Sequence, residues 1–366
     1  MITVDASILN EVFRERAKWS HKGDFGKLLV IGGSKIYTGS PALAAYGAMA
    51  ALRTGVDLVT VAAPERAADM AAKYSPNLIT VPFDGDFFRH DHLKKALELA
   101  KGFDAVVIGT GMGLEKETQK FITGFVDRVK KPCVIDADAI KAIKGTLDDK
   151  FLLTPHAYEF FSMTGDKPKY DVMSRAELVR KHARKIGVTI LLKGAIDIIS
   201  DGRETAMNKT GNTFMTVGGT GDVLTGICGA LMAQKIPPFK AGCAGAYLSG
   251  YAGDLAAKEK RPLLATDIIE KIPQVLMEFL PEPESNDVKA EPAEATGVKK
   301  EAEDIKEAVA EKEKTEDKKE DKEAPTVKKE AAKKKRNQAS EFARSVAKIS
   351  VKSLRKYTTS GSKVKK

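Results

Sequence analysis

The fifteen residues Val217–Leu231, VGGTGDVLTGICGAL, hold five glycines and a single carboxylate, Asp222. Behind it, Leu224, Ile227, Cys228 and Leu231 recur at the i, i+3, i+4, i+7 spacing of a buried helix face. The stretch predicts a glycine turn running into a helix, with an acid at the junction. Free N–H groups at such a turn, together with the helix dipole, make a site for an anion. A carboxylate beside that site cannot be there to bind the anion. Asp222 is either a cap for the helix, a position Asp favours, or a group that faces a hydroxyl or a metal. Gly218, Gly219, Gly221 and Gly226 weigh towards the second reading. A cap needs one acceptor, whereas four glycines suit a backbone that must pass close to something.

Four other clusters could carry chemistry. In LLKGAIDIISDG (Leu191–Gly202), Lys193 leaves an apolar strand, and it either snorkels to water or contacts a nucleotide phosphate. Asp197 to Ser200 reads as a second strand, so Gly194 sits in a strand-to-strand turn. In LLTPHAYEFFSMTG (Leu152–Gly165) a strand ends at Thr154 and Pro155 starts a helix. His156 is expected in its first turn, with Glu159 three residues on, and the helix N-terminus favours a neutral ring. In the DAD run, Asp136 or Asp138 is a candidate for contact with a hydroxyl, or for indirect contact with a metal. The glycine loop GTGMG (Gly109–Gly113) ends one residue short of the dinucleotide pattern GxGxxG, and GxxxxGK[ST] is absent. Both the classical dehydrogenase and the P-loop fingerprints therefore fail.

These clusters share a position, each at the C-terminal end of an apolar run. KLLVIGG (Lys27–Gly33), LVTVAAP (Leu58–Pro64), DAVVIGTGMG (Asp104–Gly113), PCVIDADAI (Pro132–Ile140) and VTILLKGAID (Val188–Asp197) read as buried strands. Helical patterns at Ala42–Arg53, Glu117–Lys130 and Met173–Ile186 separate them. Strands this apolar, alternating with helices, indicate a parallel sheet covered on both faces. Ligands of such sheets bind beyond the C-terminal strand ends. After Leu231 the pattern turns helical, at Phe239–Glu259 and in a Thr266-capped segment to about Phe279.

The 366 residues carry a net charge of +10. From Pro281 onward the composition shifts to Glu, Lys, Ala and Pro, with 23 Lys+Arg against 18 Asp+Glu. Residues 281–330 read as a disordered charged linker, acidic on balance. Residues 331–366 are basic, open with KKKR, and could form a short helix carrying Phe342, Val346, Ile349 and Leu354 on one face. This tail is either a solubilising segment or a non-specific contact for nucleic acid. Cys133, Cys228 and Cys243 lie apart in apolar runs, as buried thiols do in a reducing compartment. The N-terminus is broken by charges and is no signal peptide, and no apolar run is long enough to cross a membrane. The expected location is the cytoplasm.

A GxGD turn opening a helix late in a parallel α/β core resembles the ribokinase-like superfamily. More narrowly, five segments in order resemble the NAD(P)H-hydrate dehydratase family, which repairs hydrated nicotinamide cofactors. They are His21–Val61 (HKGDFGKLLVIGGSKIYTGSPALAAYGAMAALRTGVDLVTV), GTGMG, LLTPHAYEF, LLKGAID and VGGTGDVLTGICGAL. The resemblance spans roughly residues 10–280. It implies a three-layer α/β/α fold with a mostly parallel central sheet in residues 1–280, followed by the disordered charged tail.

Carried over by position, the resemblance implies that Lys193, Gly194, Ala195, Ile196 and Asp197 line an adenine nucleotide site. The glycine turn at Gly219, Thr220 and Gly221 would hold its phosphate. Asp222, His156, Gly111, Gly113 and Ser40 would touch the hydrated substrate; Ser40 stands where many members have alanine. Many members also carry an N-terminal epimerase domain, and with about 20 residues before the first motif this chain is expected to lack that activity. The implied reaction is dehydration of (6S)-NADHX or NADPHX, by phosphorylation of the hydroxyl and then elimination, with Asp222 as general base. ADP is expected as donor, ATP being the other candidate, with Mg2+ held mostly by phosphates and water and no protein metal site. The family also implies a homo-oligomer, a tetramer. The competing reading is a ribokinase-like kinase of a small alcohol, with the same Asp222 and no elimination.

Overall fold

The computed structural model describes residues 1–13, 16, 19–50 and 55–279. The chain divides into two units, Met1–Glu284 and Ser285–Lys366. The second lies outside the described residues, and with it the expected linker and basic tail.

Ten strands form a single sheet. β2 (Lys27–Ile31) is followed by α2 (Ser40–Ala50), β3 (Leu58–Pro64), α3 (Glu65–Tyr74) and β4 (Ile79–Phe83). The chain then returns through α4 (Leu93–Ala100) to β5 (Ala105–Ile108) on the other side of β2. From there α5 (Lys116–Val126), β6 (Cys133–Ile135), β7 (Phe151–Leu153), α6 (Ala157–Thr164), α7 (Val172–Ile186) and β8 (Thr189–Leu192) step outward. β9 (Asp197–Ser200), β10 (Thr205–Asn208) and the N-terminal β1 (Ile2–Thr3) complete that edge, with only β9 running against the rest. The sheet is thus mostly parallel. The point where the strand order reverses lies between β2 and β5.

The strands are apolar on both faces because both faces are covered. Leu28, Val30 and Val107 point into one core, with α1 (Ser7–Val12), α2, α3, α8 (Thr220–Ala233), α9 (Pro238–Glu259) and α10 (Ala265–Phe279). Leu29, Ile31, Val106 and Ile108 point into the other, with α4 to α7. Helix α8 is buried on every side from Val223 to Ala233, which is why its sequence is apolar and small all round. A Cβ on Gly229 would meet Val107 and lie 3.1 Å from Leu28, and one on Gly47 of α2 would lie 3.0 Å from the Val223 backbone. Glycine lets α8 approach the sheet and α2 this closely.

Several predicted elements are shorter. The strand expected over Pro132–Ile140 ends at Ile135, and a 3-10 helix follows at Ala137–Ala142. Ala137 has φ +50°, so the chain turns sharply there. The strand expected over Asp104–Gly113 stops at Ile108, where Gly109 turns at φ +127°. Thr266 is not the cap of the last helix, which starts at Ala265; the Asp267 carboxylate instead accepts the Leu264 N–H at 2.8 Å. Helix α2 is described to Ala50, and Arg53 lies outside the described residues. The short strands β1 and β10 had no apolar run to announce them, and β4, whose ITVPF is apolar, was not among the expected strands. Among the described residues no helix is long and apolar enough to cross a membrane.

Candidate active site at the start of α8

Helix α8 begins beyond the C-terminal ends of the parallel strands. Its N-cap is Gly219, at φ +96°, with no side-chain capping bond. A Cβ there would lie 2.7 Å from Leu43 of α2 and 3.0 Å from Ala265 of α10. Both the conformation and the space call for glycine. Asp222 lies inside the first turn and is not the cap, so that reading of its role is removed. Its carboxyl is pushed up to about 7, first by burial and then by the negative charge of Asp136. Lys193 opposes that shift and Glu159 adds to it.

Lys193 does not snorkel. Its Nζ lies 2.9 Å from Asp136 Oδ1, in an ion pair whose side chains are 20% and 4% exposed. The same Nζ would lie 3.3 Å from a Cβ on Gly221. Burial pulls the ammonium's pKa down, but Asp136, Glu159 and Asp222 together hold it above the ordinary lysine value. The second oxygen of Asp136 accepts the Thr225 hydroxyl at 2.8 Å.

His156 is the N-cap of α6 and not a residue of its first turn. Its Nδ1 accepts the N–H groups of Tyr158 at 3.1 Å and Glu159 at 3.3 Å. An accepting Nδ1 carries no proton, so the ring's proton sits on Nε2, 3.3 Å from Glu159 Oε1. The Glu159 carboxylate also takes the His156 backbone N–H at 2.9 Å, closing a capping box.

A cavity of about 530 Å³ opens beside α8. His156, Lys193, Gly194, Ala195, Asp197, Thr220 and Gly221 all line it. Ile196 sits between lining residues, while Gly219 and Asp222 flank the Thr220–Gly221 edge. Burial raises the Asp197 carboxyl to about 6, against the bonds it accepts from Asn208 and the Gly194 N–H.

Sequence reasoning missed the opposite wall, which runs from Thr210 to Thr216 and continues onto α9 at Ala246, Ser249 and Gly250. Buried Asn208 holds that wall, bonding Asp197, the Ala246 carbonyl, and the N–H and hydroxyl of Thr210. Two signals were available. NKTGN (Asn208–Asn212) is a turn-rich cluster directly after a strand. AGAYLSGYAG (Ala244–Gly253) is a helix whose face is kept small.

Ser40, Gly111 and Gly113 do not line this cavity. Ser40 and Gly111 meet at the β2–β5 reversal point, where a Cβ on Gly111 would lie 2.9 Å from Ser40 Cβ and 2.7 Å from Tyr37 Cβ. The Gly113 N–H donates to Asp138 at 2.9 Å, which fixes the glycine loop. Helix α2, which begins at Ser40, also contacts the α8 start through Leu43. Helix α2 thus links the Ser40–Gly111 contact to the helix start that edges the cavity. Asp136 and Asp138 are both engaged by protein donors, and among the described residues no three His, Cys, Asp or Glu side chains are placed to hold a metal ion.

A family model described as NAD(P)H-hydrate dehydratase matches residues 28–274. The bifunctional NAD(P)H-hydrate repair enzyme of Pyrobaculum aerophilum is 43% identical over 279 residues, which cover 75% of this chain and 54% of that one. The ADP-dependent (S)-NAD(P)H-hydrate dehydratase of Cenarchaeum symbiosum is 39% identical over 270 residues, covering 72% and 93%. This chain spans about half the length of the bifunctional relatives it matches. Among solved structures, the ADP/ATP-dependent NAD(P)H-hydrate dehydratase of Bacillus subtilis, co-crystallised with ATP and Mg2+, matches with a TM-score of 0.66 at 28% identity, over 76% of this chain and 99% of that one. A ribokinase-like superfamily protein from Enterococcus faecalis matches with a TM-score of 0.67 at 26% identity, over 76% and 96%. The fold is ribokinase-like.

Proposed function

The chain belongs to the NAD(P)H-hydrate dehydratase family, and from that premise we propose that it uses ADP or ATP to dehydrate (6S)-NADHX or NADPHX. The observation that carries the proposal is Asp222, a half-buried carboxyl held near 7 at the mouth of a glycine-opened helix. A base poised near neutrality can accept the proton of an alcohol as that alcohol attacks phosphorus.

Hydroxide is a poor leaving group, and phosphate is a good one. The hydrate's hydroxyl oxygen attacks the terminal phosphorus of the nucleotide. Asp222 takes the hydroxyl proton, and the shortened nucleotide leaves. The carbon–oxygen bond to phosphate then breaks, assisted by the ring nitrogen. The neighbouring carbon loses a proton, and the dihydronicotinamide double bond returns. The N–H groups around Gly219–Gly221 and the Lys193 ammonium stabilise the charge on the transferred phosphoryl group.

Lys193, Gly194, Ala195, Ile196 and Asp197 hold the nucleotide in the 530 Å³ cavity, together with the Asn208-braced wall. Ser40, Gly111, Gly113 and His156 face the hydrate. Mg2+, held mostly by the nucleotide phosphates and water, would neutralise phosphate charge. ADP is the favoured donor, the working form a homo-oligomer, and the location the cytoplasm.

The test is incubation with hydrated NADH and either ADP or ATP. Recovery of dihydronicotinamide absorbance with release of phosphate supports the reading. A phosphorylated alcohol that accumulates without that recovery would instead establish a kinase on the same Asp222.

A further inference from the structure

Asp136 directly follows β6, at the start of the 3-10 helix Ala137–Ala142, and its side chain is only 4% exposed. Each of its oxygens holds one partner from a different element. Oδ1 accepts Lys193 Nζ at 2.9 Å from the end of β8, and Oδ2 accepts Thr225 Oγ1 at 2.8 Å from α8. Thr225 is three residues beyond Asp222, so the two share a face of the helix. Thr154, at the end of β7, lies 3.5 Å from the same hydroxyl.

Burying a carboxylate and an ammonium together is weak support for a fold, because desolvation consumes most of their attraction. Apolar side chains of similar volume would join these strand ends as well. The pair instead delivers a cation to a defined point, 3.3 Å from where a Gly221 Cβ would stand. A lysine has three N–H donors and can keep one on Asp136 while offering the others to an anion.

We propose that Asp136 is the positioning residue of this site, stationing Lys193 at the first turn of α8, where Asp222 stands. The inference rests on the phosphoryl-transfer reading of the same site. The charged groups acting on Asp222 are Asp136 from β6, Lys193 from β8 and Glu159 from α6, whose partner is His156. Helix α2 brings no charged side chain. On α9, Asp254 is taken by the Gly211 N–H and Asn212; on α10, Asp267 is taken by Lys260. Asp136 raises the proton affinity of Asp222 and Lys193 lowers it. Lys193→Met should therefore raise the Asp222 midpoint, and if Asp136 is what holds Lys193 in place, that rise should shrink once Asp136 is replaced.

The experiment uses the full chain without nucleotide and follows the Asp222 carboxyl by 13C NMR as pH is varied. Calorimetry with ADP gives nucleotide affinity. Asp136→Asn should weaken ADP about tenfold, and Lys193→Met added to it should have little further effect on the Asp222 midpoint. Lys193→Met should raise the midpoint. A folded Asp136→Asn protein in which Lys193→Met still raises the midpoint by its full wild-type amount overturns the proposal. If that variant does not fold, Lys193→Met decides: an upward shift supports the proposal, and an unmoved or lowered midpoint overturns it. Neither readout uses a hydrated cofactor, so wild-type protein inactive on NADHX sinks the dehydratase reading separately.

Discussion

Ser40 and Gly111, 71 positions apart in sequence, meet at the reversal point of the sheet, the Ser40 Cβ 2.9 Å from where a Gly111 Cβ would stand. One opens helix α2 and the other belongs to the loop after β5, on the neighbouring strand of β2. The 530 Å³ cavity beside α8 touches neither residue. The site thus has two halves that meet only at the start of α8, and the halves can be perturbed separately.

Gly111→Ala tests the half at the sheet reversal. The φ of +61° strains any side chain, and the new methyl would crowd Tyr37 and Ser40. The strain costs about 1 kcal/mol or more. The KM for hydrated cofactor should rise or kcat fall by an order of magnitude, while the Kd for ADP stays at the wild-type value. Steady-state kinetics and calorimetry on one preparation read both.

Asn208→Ala tests the other half. Asn208 is fully buried, and its removal strands the Thr210 N–H and takes one of two donors from the Ala246 carbonyl. Leaving such groups unpaired costs about 1–3 kcal/mol. Urea denaturation should show that loss, and ADP affinity should fall with it because the Thr210–Thr216 wall loosens. Unaltered ADP affinity would detach that wall from nucleotide binding.

Asp222→Asn should leave the protein folded and ADP-competent while cutting turnover by about 10²- to 10⁴-fold, the usual worth of a general base. In the wild type, kcat/KM should rise with pH through about 7, as the Asp222 carboxyl becomes the base form. A flat profile between pH 6 and 8, the range that brackets the midpoint, would exclude Asp222 as the base.

The same carboxyl has a stability signature. Its folded pKa of about 7 lies above the ordinary 3.8, so ionisation costs the folded state more than the unfolded one. The wild type should lose stability as pH rises from near 4 to near 7, and level off above. Asp222→Asn removes that loss. Its melting temperature should exceed the wild-type value at pH 8 and match it at pH 4. Calorimetric scans at those two values are sufficient.

The strand-end clusters were legible because chemistry and fold leave different marks in the same residues. Apolar runs announced β2, β3, β5 and β8, and glycines and acids after them marked the ligand side. Glycine patterns also carried the helix entry at Gly219, whose φ of +96° no ordinary residue adopts cheaply. The strands β1 and β10 left no such mark, since strands of two and four residues that are exposed or alternate in burial need little apolar content, whereas β4 carries the apolar run ITVPF without having been among the expected strands. Asp136 was singled out by its position after a strand, but its partners were not readable.

By itself, the sequence determined the layered parallel architecture, the acid at a glycine-opened helix and the family. Those features are local, being runs, turns and spacings within a few residues. Only the tertiary structure decided that Lys193 turns inward to Asp136, that Asp222 is not a cap, and that Ser40 joins Gly111 and not the cavity. Each depends on which strand ends the sheet order brings together and how much water is left between them. No residue's identity encodes the burial that moves a carboxyl from 3.8 to about 7.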